Sequence, residues 1–264
     1  ISNATGTIIV NGVAVGADNT PPLLGDRGIF AGGTTGPQRN TIEYVAIPTT
    51  GNVTDFGDLS AARYGLAACS DGSRGVFSAG NTASGNSNVM EYITIATTGN
   101  SQDFGDLTEA STSIAGCSST VRGVFGGGNI NYGGRSNVIQ YITIATPGNA
   151  TDFGDLTVGR STSGSACSNG SRGVFGGGYT GSRTDVIDYI TIDTPGNATD
   201  FGNLSVAKNN SAGCANTTRG LFSGGTISSG TTNVIEYITI ATPSNATDFG
   251  DLTVAITSGT SCSG

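Results

Sequence analysis

The residues able to do chemistry are few and repetitive. In 264 residues there are 19 Asp or Glu, 11 Lys or Arg, five cysteines and no histidine. Without histidine there is no Ser–His–Asp triad, no imidazole general base and no imidazole ligand for zinc or copper. The acids that stand out are Asp55, Asp103, Asp152, Asp200 and Asp248, each opening an Asp-Phe-Gly string. Oxygen ligands alone suit calcium, but an aspartate needed once per repeat more readily caps turn amides. Arg27, Arg74, Arg122, Arg172 and Arg219, each followed by glycine, read as scaffold cations paired with carboxylates. Cys69, Cys117, Cys167, Cys214 and Cys262 never form C-x-x-C and read as small buried residues. The sequons at Asn52, Asn149, Asn197 and Asn245 read as turn chemistry, and as glycosylation acceptors only in a host with that pathway. A glycosidase needs a carboxylate pair, and no unrepeated pair stands out. The expectation is a non-enzymatic chain with no catalytic residue, metal or cofactor.

These residues recur because one unit recurs. The arginines and the tyrosines Tyr44, Tyr92, Tyr141, Tyr189 and Tyr237 are spaced about 48 residues apart, the mark of a repeated supersecondary unit. In residues 158–204, a small-residue run from Ser161 to Ser168 reads as an inner strand. Arg172 to Gly177 reads as a second strand, and Val186 to Ile192, rich in β-branched and aromatic residues, as a third. Thr199 to Leu204 reads as a fourth. Pro195-Gly196-Asn197 marks the turn before it. No stretch has helical periodicity. Four antiparallel strands per unit predict a propeller blade. All ten phenylalanines fall in two repeated columns, Arg-Gly-x-Phe and Asp-Phe-Gly, and read as core. A net charge of −8 disfavours nucleic acid, and no apolar run is long enough for a transmembrane helix.

The double glycine ending the second strand (Val174-Phe175-Gly176-Gly177), Tyr189 of the third strand and the L-x-x-x-R junction (Leu156…Arg160) resemble the kelch repeat. One departure is phenylalanine (Phe56, Phe104, Phe153, Phe201, Phe249) where kelch repeats usually carry tryptophan. The phrasing YITIATPGNATDFGDLTVGRS is similar to kelch-like repeats in virion proteins of tailed phages, especially those infecting marine cyanobacteria. The resemblance implies an all-β β-propeller in a virion or extracellular setting, and the five copies of the unit predict five blades.

The first unit opens at its second strand and the chain ends on a first strand, Thr257 to Gly264. Pairing that strand into the first blade would close a ring without a free sheet edge. The expected organisation is a hairpin and linker over 1–26, then a propeller over 27–264. Blade 1 combines 255–264 with 27–60, and blades 2 to 5 span 61–108, 109–157, 158–205 and 206–254. The chain begins at Ile1 rather than Met, which reads as a processed or partial chain.

The loops between strands two and three differ in every copy, whereas the three-to-four turns are alike. Topology places the variable loops and the blade junctions on one face. Tyr64, Tyr132 and Tyr179, with Arg39, Arg63, Arg135, Arg160, Arg183 and Lys208, lie outside the repeated columns and map to that face. Tyr and Arg are enriched in binding hot spots, and exposed tyrosine stacks on sugars. These nine residues are the expected ligand-binding set. The expected function is a tail-fibre or surface-displayed virion protein that binds a host-surface glycan or receptor. Other virion proteins would dock through residues 1–26, and homo-oligomerisation stays open. The alternatives are a structural decoration or spacer domain and, less favoured, a carbohydrate-active enzyme.

Overall fold

The computed structural model describes strands Ile8–Val10 and Val13–Val15 and then residues 27–259. The first two strands pair antiparallel, with Ile8 opposite Val15. Beyond Arg27 the described chain is all β except for a 3-10 turn at Asn131–Gly133.

Blade 3 shows how the repeat folds. Ala115–Ser118, Arg122–Gly126, Val138–Thr143 and Thr151–Asp155 form an antiparallel sheet in chain order. Cys117, Val124 and Tyr141 stand side by side across it. The third and fourth strands slip register between Ile139 and Gln140, a β-bulge that re-aims one side chain. The same slip recurs at Ile42/Glu43, Met90/Glu91, Ile187/Asp188 and Ile235/Glu236. Each bulge lies opposite the Asp-Phe-Gly string, whose glycine is irreplaceable. Gly154 has φ of 139°, and a Cβ on it would sit 2.5 Å from the Gly196 carbonyl of the next blade.

Five contacts join each blade to the next. The first is apolar. Among the described residues, each of four core clusters spans one junction, and each seats a phenylalanine of the later blade (Phe77, Phe125, Phe175 or Phe222) on the earlier one. Inside each blade, Tyr and Phe meet edge to face, as in Tyr141–Phe153 with centroids 5.9 Å apart.

The second contact is the repeated arginine. Arg122 lies 4.4 Å over the Tyr141 ring, and its Nη1 donates to the Ile192 carbonyl of the next blade at 2.8 Å. Arg27, Arg74 and Arg172 do the same to Ile95, Ile144 and Ile240. The expected partner was a carboxylate. The observed partners are an aromatic face and a carbonyl, which a planar cation serves together.

The third contact is the asparagine of the three-to-four turn, a sequon in every copy except Asn100. Asn197 Oδ1 accepts the Asp155 amide of the preceding blade at 3.1 Å. Asn100, Asn149 and Asn245 do likewise for Asp58, Asp106 and Asn203. The fourth contact is the cysteine. The Cys117 thiol fills the space a Cβ would need at Gly173, 2.6 Å away, and Cys69 and Cys167 do the same at Gly123 and Gly220, which explains the glycine after three of the repeated arginines. Cys69, Cys117 and Cys167 are buried, and burial pushes the Cys117 thiol up to about 12. Cys262 lies outside the described residues.

The fifth contact overturns part of the expected binding set. Arg63, Arg160 and Lys208 are buried, at 1%, 0% and 0% exposure. Each lies just after the preceding blade's fourth strand and meets an acid that a β-bulge about 28 residues later turns inward. Arg160 Nη1 lies 2.7 Å from Asp188 Oδ2, and Lys208 Nζ lies 2.6 Å from Glu236 Oε2. Arg63 pairs with Glu91 and also donates to the Ala79 and Val89 carbonyls. Burial lowers the Arg63 guanidinium from its ordinary value, against the pull of Glu91. At the blade 2–3 junction both charges are gone: Ser111 and Gln140 take these positions and both are buried. There Gln140 Oε1 accepts from the Thr108 amide at 2.6 Å and its hydroxyl at 2.8 Å. Acid faces cation, and amide faces hydroxyl.

The number of blades and the closure also differ from expectation. Among the described residues there are four four-stranded blades, and the first sheet has only three strands, Arg27–Ala31, Thr41–Ala46 and Thr54–Asp58. The arrangement is propeller-like and not closed. Thr247–Ile256 pairs with Gly230–Thr239, and no described residue from 255 onward pairs with 27–33. Residues 260–264, expected to complete the first blade, lie outside the described residues. The side chains give a reason. Ile256 holds the position of Arg63, Arg160 and Lys208, and Glu43 holds that of Glu91, Asp188 and Glu236. Closing the ring would bury a carboxylate against isoleucine, an uncompensated charge. Both end faces are accordingly open: Phe30 is 46% and Phe249 50% exposed, while the other eight phenylalanines are buried.

Candidate ligand-binding face

The variable loops do share a face with the blade junctions, because the two are hydrogen-bonded together. Arg63–Tyr64 pairs with Asn81–Thr82 at the base of the blade 2 loop. Ser111 and Thr112 pair with Ile130 and Asn129, Ser161 with Tyr179, and Asn209 with Thr226. The loop tips at residues 83–84, 131–134, 180–182 and 228–229 project beyond these bridges.

Of the nine expected site residues, Arg63, Arg160 and Lys208 are not on this surface. They lie beneath it and hold the blades. The others separate by blade. Arg39 is exposed and turned onto its own loop, with Nη2 donating to Thr35 Oγ1 at 2.9 Å. Tyr64 is exposed on the blade 1–2 junction strand. Tyr132 lies on the 3-10 turn of the blade 3 loop.

Arg135, Tyr179 and Arg183 come together. Arg135 closes the blade 3 loop by an Asn129 bridge, and its Nη1 donates to the Gly133 carbonyl at 2.6 Å. That anchoring holds the guanidinium 5.2 Å from the centroid of Tyr179, on the neighbouring blade. Tyr179 is fixed from behind by reciprocal backbone bonds with Ser161, at 2.9 and 3.0 Å. Arg183 stands opposite it across the blade 4 hairpin. The Nε atoms of Arg135 and Arg183 are buried and have no hydrogen-bond partner among the described residues. The result is a half-buried aromatic ring flanked by two cations, drawn from two blades, on a body of net charge −8. Such a site offers a stacking surface and N–H donors to an anionic or hydroxyl-rich ligand.

The opposite face carries repeated hollows instead. One of about 350 Å³ is bounded by Tyr141, Pro147 and Asn149, and one of about 310 Å³ by Tyr189, Pro195 and Asn197. Their linings are scaffold residues. The Asp-Phe-Gly aspartates are exposed one per blade, and no group of three or more His, Cys, Asp or Glu able to hold a metal occurs among the described residues.

Sequence reasoning missed the acids Glu91, Asp188 and Glu236. The available signal was that they change in step with the junction residue about 28 residues earlier: Arg63 with Glu91, Ser111 with Gln140, Arg160 with Asp188, Lys208 with Glu236. Comparison with protein families and with curated proteins finds no match for this chain.

Proposed function

We propose that the chain is a non-enzymatic binding module whose variable loop face engages a host-surface glycan or receptor at the blade 3–4 boundary. The observation that carries this reading is the Arg135–Tyr179 contact between two blades. It is the one cation–aromatic pair outside the repeated scaffold column among the described residues. Tyr179 supplies the stacking surface, and Arg135 and Arg183 supply donors for a carboxylate or sugar hydroxyls. Placement on a tailed-phage particle, in a tail fibre or on the surface, rests on the resemblance to kelch-like virion repeats alone.

The test is binding to host cells or to an array of their surface glycans by wild type and by an Arg135→Ala/Tyr179→Ala variant. The expected result is at least a tenfold loss of affinity, about 1.4 kcal/mol or more. Unchanged binding by the folded variant refutes the reading.

A second reading, a structural decoration or spacer domain, is favoured by the open end faces at Phe30 and Phe249. A map of the assembled particle separates the two. The spacer reading requires the variable face to be covered by other particle proteins, and the binding reading requires it to be free.

A further inference from the structure

The first sheet presents a face that every other blade buries. Ile47 occupies the position of Ile95, Ile144, Ile192 and Ile240, whose carbonyls receive the arginine of the preceding blade. It is 59% exposed. Asn52 occupies the position of the asparagines whose Oδ1 accepts a preceding amide, and it is exposed with no partner among the described residues. Phe30 stands where Phe77, Phe125, Phe175 and Phe222 insert into a preceding blade. Glu43 is exposed, whereas Glu91, Asp188 and Glu236 are each buried against a cation. Apolar ring, acceptor carbonyl, acceptor amide and acid are thus laid out in the pattern of a blade junction, without the blade.

We infer that this face is a docking surface for a blade of the same repeat that carries Arg or Lys five residues after its fourth strand, as Arg63, Arg160 and Lys208 are placed here. Charge decides the occupant. In each charged junction of this chain an acid at the Glu43 position meets a cation from the segment that follows the preceding blade's fourth strand, and at the neutral junction Ser111 and Gln140 take these positions. The chain's own last blade and a second copy both offer Ile256. Either would match the face at Phe30, Ile47 and Asn52 and then leave the Glu43 carboxylate buried without a counter-charge. A partner blade with that Arg or Lys satisfies all four positions. The inference concerns the end of the array and is independent of ligand binding on the variable face.

The probe is this chain carrying Ile256→Arg, to supply the missing cation, together with Phe30→Asp, to prevent its own first sheet from accepting a blade. Wild type is the receiver, and sedimentation velocity reads the complex. The expected result is a one-to-one complex with the Ile256→Arg/Phe30→Asp probe. Binding should be at least about tenfold weaker for the Phe30→Asp chain that keeps Ile256, and for a Glu43→Gln receiver. An Ile256→Lys/Phe30→Asp probe repeats the experiment with a second cation, should the arginine variant fold poorly. Equal binding of the probes with and without the cation overturns the inference. So does no binding by either cationic probe, or self-association of wild type through Glu43 and Ile256.

Discussion

Substituting Arg160 by alanine tests how the blades are joined. The guanidinium is fully buried, with Nη1 2.7 Å from Asp188 Oδ2 and Nη2 3.3 Å from the Phe175 carbonyl. Its removal leaves Asp188 with two donors, the Thr157 hydroxyl at 2.6 Å and amide at 3.3 Å, and no counter-charge. Stranding one partner of a buried pair costs about 3–5 kcal/mol, a large share of the roughly 5–15 kcal/mol that keeps a domain folded. The molecule contains its own control in the Ser111–Gln140 junction. Arg160→Ser combined with Asp188→Gln should therefore recover most of the loss and end within about 1–2 kcal/mol of wild type, because glutamine can keep both Thr157 bonds while no charge remains to be solvated. The coupling between the two sites should be about 2–3 kcal/mol. Urea unfolding, followed by tyrosine fluorescence and circular dichroism, reads all four corners of the cycle. A double variant no more stable than Arg160→Ala, or a single variant costing under about 1 kcal/mol, refutes the argument.

Other consequences of the junctions are measurable. Asn197→Ala should lower stability by about 1 kcal/mol, because its Oδ1 holds the Asp155 amide, while Asn52→Ala, at a position without a partner, should leave the urea midpoint unchanged. The thiols of Cys69, Cys117 and Cys167 are buried and pushed up from 9.0, so iodoacetamide should leave them unmodified by mass spectrometry at neutral pH until the protein is unfolded. The same displacement sets an alkaline limit. The folded chain keeps the Cys117 proton up to about 12, and the unfolded chain releases it from 9.0. Stability should therefore fall as pH rises through that window, and Cys117→Ala should make the decline shallower.

The repeated columns were legible in the sequence because each residue is present in every copy. The strands, the aromatic core and the Asn turns all follow from that. Arg63, Arg160 and Lys208 escaped it for a physical reason. Their column is broken by Ser111 and Ile256, so they look like surface variation unless read beside the acid that follows in the same repeat. The partner is about 28 residues away in sequence and reaches the junction only through a β-bulge, which the amino-acid pattern does not announce. The failure to close has a different origin. Strand pairing within a blade is local and follows from hydrophobic pattern, whereas closure depends on contacts between the ends of the array, where one unmatched pair, Glu43 and Ile256, is enough to oppose it. The Arg135–Tyr179 pair was half visible: both residues stood out from the repeat, but their meeting across a blade boundary depends on the Gly133 carbonyl holding the guanidinium in place.

The stepwise pairing of junction residues also bears on the inheritance of near-identical repeats, which are prone to lose or gain copies by unequal recombination. An in-frame loss of residues 161–208 would bring Arg160 against Glu236, and loss of residues 64–160 would bring Arg63 against Asp188. Both products keep a matched pair. Loss of residues 112–160 would set Ser111 against Asp188, and loss of residues 64–111 would set Arg63 against Gln140, each leaving one buried charge alone. The buried pairs thus act as a proofreading rule on copy number, permitting some deletions at the gene level and removing others through misfolding of their products.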